Sequence, residues 1–143
     1  MKLVSDPVRI FFETFEQVLA QSDPDLLTSI YADSFMFASL QGTQAVRRDD
    51  FLKVLPRRTG FFKSVGLTST RLRDLDETRI DDSYVLVKVA WTMRFEKDPA
   101  HPIDLEALAT YILFQQEGSL RIVFQLDHQD LTKAVQELGL LPS

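Results

Sequence analysis

Between Val85 and Phe95 the chain keeps strict alternation: Val85, Val87, Val89, Trp91, Met93 and Phe95 are apolar, with Lys88, Thr92 and Arg94 among the residues between them. Successive side chains of a strand point to opposite faces, so this spacing predicts a strand with one buried face. Such a strand needs partners for its backbone groups and a cover for its apolar side. Both are legible nearby. Residues 67–79 read as a more polar strand with Leu67, Leu72 and Leu75 as its large apolar groups. Asp81-Asp82 marks a turn, 97–102 a loop, and 105–116 and 119–128 two further strands joined by a tight hairpin at Glu117-Gly118.

The cover comes from the first third of the chain. Asp6 suits a helix cap and Pro7 the first helical position, where no N–H is required. Val8, Phe11, Phe12, Phe15, Val18 and Leu19 then follow at helical spacing. The same start recurs at Asp23-Pro24, with Leu26, Leu27, Ile30 and Tyr31 as the stripe of a shorter helix. Ser34–Leu40 reads as a short strand. Gly42-Thr43 opens a third helical stretch, with Val46, Phe51, Leu52 and Leu55 inward and Pro56 ending or kinking it. Residues 57–64 add a turn that packs Phe61 and Phe62. Asp130 caps a last helix that stops at Gly139.

Helices first and a meander of strands second predict an α+β fold. No repeat or linker interrupts the 143 residues, so one domain over 1–143 is expected. With 45% apolar residues, 11 of them Phe, the core needs no disulfide or metal, and without cysteine no thiol nucleophile or thiolate zinc site exists. The net charge of −5 repels phosphates and anionic lipid, so neither nucleic acid nor a membrane is the expected partner. Lys2 is followed at once by Ser5-Asp6-Pro7 rather than an apolar leader, and no apolar run approaches a bilayer's thickness, which makes a cytoplasmic location the expectation. Both faces of the last two strands carry apolar residues while the helices cover only one. The other face is expected to pair with a second copy, giving a homodimer through the sheet.

The segment Asp23-Pro24-Asp25-Leu26-Leu27-Thr28-Ser29-Ile30-Tyr31-Ala32-Asp33 resembles the second-helix signature of the NTF2-like superfamily, which includes SnoaL-like cyclases and ketosteroid isomerases. Gly42-Thr43-Gln44-Ala45-Val46-Arg47 resembles the glycine-led start of that family's third helix, and the order of elements matches over almost the whole chain. The resemblance implies a cystatin-like cone: a strongly curved antiparallel sheet with N-terminal helices packed on its concave face, often around an apolar pocket. Residues expected to line it are Phe15, Tyr31, Phe37, Ser39, Trp91 and Thr110. Three of these fall where steroid isomerases carry acid–base groups: Ser39 for the base, Phe15 for a tyrosine, and Thr110 for a protonated aspartate. None can do that work, which argues against steroid-isomerase chemistry. The hairpin alignment turns Thr110 inward and Tyr111 outward, placing Tyr111, Ala107, Ala109 and Leu113 on the subunit contact.

One histidine stays in view for chemistry. His128 continues the period-two series Leu120, Ile122, Phe124 and Leu126, with Asp127 on the opposite face and Asp130 close enough to orient the ring. Against that stands a plain strand-to-helix junction with Asp130 as cap. Residues 47–71 hold seven basic and two acidic residues; Arg57-Arg58 beside Phe61 and Phe62 could hold an acidic group at a pocket rim, or form a solvated helix face. His101 and His128 lack paired-ligand spacing, so no metal is expected, and no phosphate or dinucleotide motif calls for a cofactor. Three functions fit. One is a binding domain for a small apolar or amphipathic ligand; another a cofactor-free lyase or isomerase using His128; the third a dimerisation module with a filled cone.

Overall fold

A computed structural model describes residues 4–21 and 23–140; Lys2 and both ends of the expected domain span lie outside them. Helix α1 (Asp6–Gln21) is followed by a 3-10 turn (Pro24–Ser29), strands β1 (Tyr31–Ser39) and β2 (Gly42–Arg47), and helix α2 (Arg48–Ser64). Then come β3 (Leu67–Arg79), β4 (Tyr84–Phe95), β5 (Ile103–Gln116), β6 (Ser119–Asp127) and the short α3 (Leu131–Glu137). No helix among the described residues is long and apolar enough to cross a membrane.

The six strands form one sheet in the order β2-β1-β6-β5-β4-β3. The sheet is antiparallel as expected except at one place, where β1 runs parallel to β6. A parallel pair needs a long crossover, and everything from β2 to β5 supplies it. Strands β2 and β3 are the edges. Register shifts at Leu67/Ser69 and Leu72/Asp74 on β3, and at Ile112/Leu113 opposite β6, bend the strands.

Tertiary pairing overrides local pattern twice. Tyr31, expected to close a helical stripe, begins β1, because it pairs with Ile122 and the Ile122 N–H donates to the Ile30 carbonyl at 2.8 Å. Gly42–Arg47, expected to open a helix, is the strand β2. Leu40-Gln41 turn the chain back and Ser39 pairs with Gly42. The helix begins only at Arg48, whose guanidinium donates to the carbonyls of Thr28 (3.1 Å) and Tyr31 (3.3 Å) and pairs with Asp33 at 3.2 Å. It runs through Pro56 without stopping there.

Helix α1 buries Val8, Phe11, Phe12, Phe15 and Val18 against the inner sheet face. Phe12 is fully buried, contributing about 2–3 kcal/mol of transfer free energy. Its polar edge seals onto β3: the Ser5 backbone and hydroxyl both donate to Glu77 at 2.9 Å, and Glu16 accepts from the Leu72 N–H. Close approach fixes the α2–β3 turn. Gly66 has φ +103, and a Cβ there would lie 2.6 Å from the Lys97 nitrogen. The β5–β6 hairpin turns as expected, with Glu117 at φ 52 and Gly118 at φ 78. Asp130 caps α3 by accepting from the Lys133 N–H at 3.1 Å.

Candidate functional site

Odd-numbered residues of β4 and β5 face the helices. Between them and α1 and α2 lies a cavity of about 200 Å³. Phe15, Phe51, Leu55, Phe62, Trp91 and Met93 give it apolar walls, and the small Ala107 and Ala109 hollow out the β5 side. It opens on a wider vestibule of about 650 Å³ between α2, the end of β1 and α3, with Phe37, Arg58, Phe62 and Asp127 shared between the two spaces.

A polar line runs along one wall. The Tyr31 hydroxyl donates to Gln125 Oε1 at 2.7 Å, and Gln125 Nε2 donates to Asp127 Oδ1 at 3.0 Å. Arg58 stands 3.7 Å from Asp127 Oδ2 and lies over the Phe62 ring, 5.5 Å from its centroid. Asp127 is the sole carboxylate lining the cavity among the described residues. On the facing part of the sheet, Trp91 Nε1 donates to the Tyr111 hydroxyl at 3.3 Å. Burial raises the pKa of Tyr31 well above its ordinary value, with Tyr111 and the negative Asp127 adding to it. Burial also raises Tyr111, again helped by Asp127 and opposed by the Trp91 hydrogen bond and Arg58. Both phenols therefore keep their protons at neutral pH; Tyr31 donates its proton to Gln125, while Tyr111 accepts from Trp91.

Of the six residues expected to line a pocket, Phe15, Tyr31, Phe37 and Trp91 do. Ser39 sits in the vestibule, its hydroxyl accepting from the Gln41 N–H at 3.2 Å. Thr110 is corrected: it is buried on the outer face, while Tyr111 points inward among Phe12, Phe15 and Trp91. The supposed subunit contact of Tyr111, Ala107, Ala109 and Leu113 is thus interior. His128 is exposed on the outer side, its Nε2 sharing a 2.7 Å hydrogen bond with Thr110 Oγ1. Asp130 does not orient it; it caps α3 and accepts from Gln41 Nε2 at 3.2 Å.

One inserted residue explains why Asp127 and not His128 faces the cavity. Ile122 pairs with Leu113 and Phe124 with Ile112, so Val123 is the extra residue of a bulge. Leu120 and Ile122 face in; past the bulge Phe124, Leu126 and His128 face out, and Gln125 and Asp127 turn into the cavity. Sequence reasoning misses Gln125 and Asp127 because an unbroken period of two hides a bulge. Of the two arginines considered for a pocket rim, Arg58 lines both spaces and Arg57 the vestibule. Among the described residues no three of His, Asp and Glu gather where they could hold a metal ion.

Solved structures share this architecture at low identity. An NTF2-like protein of unknown function from Shewanella oneidensis MR-1 superposes with a TM-score of 0.70 at 13% identity, over 87% of this chain and 98% of that one. An NTF2-like protein with a cystatin-like fold from Novosphingobium aromaticivorans gives 0.70 at 11% identity, over 96% and 88%. An uncharacterized protein with a cystatin-like fold from Caulobacter vibrioides gives 0.64 at 12% identity, over 95% and 97%. No curated protein matches the chain. The family model described as NTF2-like protein (DUF6841) matches residues 4–130, and with the sheet order and the helices on its inner face this places the chain in the NTF2-like family.

Proposed function

We propose that the chain is a small-molecule-binding domain whose ligand occupies the cavity between helices and sheet. The observation that carries this is the cavity itself: it is open to a vestibule, apolar in its walls, and furnished with a few convergent polar groups, the usual make-up of a ligand site. A cone packed solid would instead have favoured a purely structural module. An engineered apolar cavity of about 150 Å³ takes up benzene, so a space of this size is adequate for a single ring with substituents.

The chain's only tryptophan, Trp91, lines the cavity and supplies a direct readout. Benzene is expected to shift the one indole N–H resonance in a saturable way. Ala109→Leu fills the hollow on β5 and is expected to weaken this binding by about tenfold or more while the fold persists. An indole signal indifferent to benzene would remove the reading.

A second reading, cofactor-free proton transfer, is favoured by one observation: the carboxylate of Asp127 faces the cavity, held by Gln125 and flanked by Arg58. It replaces His128 in that role. The outer sheet face supports a further part of the proposal, pairing with a second copy of the chain. Met36 (40% exposed), Tyr84 (38%) and Leu108 (42%) stand there with the half-buried Ile112, Phe114 and Phe124.

A further inference from the structure

The polar groups of the cavity differ in what they have left to offer. Trp91 spends its N–H on Tyr111. Gln129 spends its amide on the backbone of β5, accepting from Leu108 N at 2.7 Å and donating to Glu106 O at 2.7 Å. Tyr31 spends its proton on Gln125, and Gln125 spends one N–H on Asp127. Besides the hydroxyls of Thr59 and Thr70 and the remaining N–H groups of Gln125 and Arg58, two capacities stand out among the described residues. The Tyr111 hydroxyl accepts but its own proton has no acceptor. Asp127 Oδ2 has only Arg58, at a distance beyond hydrogen bonding.

These two capacities lie on one wall. Tyr111 pairs with Gln125 across β5 and β6, and Asp127 pairs with Ala109, so Tyr111 and Asp127 are diagonal cross-strand neighbours. Diagonal Cα positions are about 7–8 Å apart, roughly the span of a para-substituted ring. Charge narrows the class further. The cavity's one cation and one anion stand 3.7 Å apart and offset each other, so an ionised ligand would meet apolar walls with no net counter-charge.

Resting on the cavity reading above, we infer that the ligand is uncharged, about the size of one substituted ring, and carries a hydrogen-bond acceptor for Tyr111 at one end and a donor for Asp127 at the other.

Three probes of one skeleton test this on the full chain, followed by the Trp91 indole N–H signal: ethylbenzene, 4-hydroxyacetophenone and 4-hydroxybenzoate. The ketone is expected to bind at least tenfold more tightly than the carboxylate. Tyr111→Phe and Asp127→Asn are each expected to weaken the ketone about five- to tenfold, the share of one hydrogen bond, and to leave ethylbenzene within about twofold. Unchanged ethylbenzene binding also reports that each variant keeps its cavity. Ketone affinity untouched by both substitutions, or a carboxylate that binds as tightly, would overturn the ligand class while ethylbenzene binding upheld the cavity. Failure of all three probes would remove the cavity reading and this inference together.

Discussion

Two buried phenols, Tyr31 and Tyr111, give the cavity wall its hydrogen bonds and also tie stability to alkaline pH. Their folded pKa values lie above the ordinary value of 10, chiefly through burial. The folded chain therefore holds these protons more tightly than the unfolded chain does. That contribution is complete below pH 10 and is lost as the pH rises past it, because the unfolded state then gains by ionising. Tyr111→Phe removes one of the two groups. Its melting temperature is expected to fall less steeply than that of the parent chain between roughly pH 9 and pH 11. Parallel curves for the two proteins would show that Tyr111 does not contribute to the slope.

Among the elements, β6 decides which chemistry the cavity can hold. Its bulge at Val123 sends His128 out and Asp127 in. Should the chain turn over a substrate, Asp127→Asn is expected to lower kcat by at least about a hundredfold, the usual share of a positioned base, and His128→Ala to leave it within about twofold. The reverse pattern would place the chemistry on the outer face. Elements with strong periodicity are legible in the sequence: α1 from its Phe-rich stripe, β4 from its alternation, the β5–β6 hairpin from Glu117-Gly118. So is the NTF2-like fold. Harder to read are β1 and β2, whose identity rests on pairing with a strand some ninety positions later and on a two-residue turn at Leu40-Gln41. Four of the cavity's lining residues follow from the family pattern. Asp127 and Gln125 do not, since a single extra residue inverts the face of everything downstream.

For the molecule as a whole, one side of the sheet is covered by α1 and α2 and the other is open. The contact surface expected on Tyr111 is cavity wall, so the open side is the one bearing Leu108, Ile112 and Phe124. A charge introduced there, Ile112→Glu, is expected to shift a dimer to monomer in light scattering coupled to size exclusion. The same variant is expected to bind benzene with unchanged affinity, because Ile112 does not line the cavity. A dimer that persists would move the contact elsewhere.

The sheet's two margins bear on how large such an assembly grows. Strand β3 carries Arg71, Arg73, Asp74, Asp76, Glu77 and Arg79 along its length, and the short β2 presents a mostly exposed, polar edge. Charged or short margins discourage another strand from adding to the ladder, whereas a pair that meets face to face about a two-fold axis buries its own sticky surface and leaves none to spare. A chain that pairs in this way would stop at a closed pair instead of extending into a fibre, and would keep an apolar side without polymerising at high concentration.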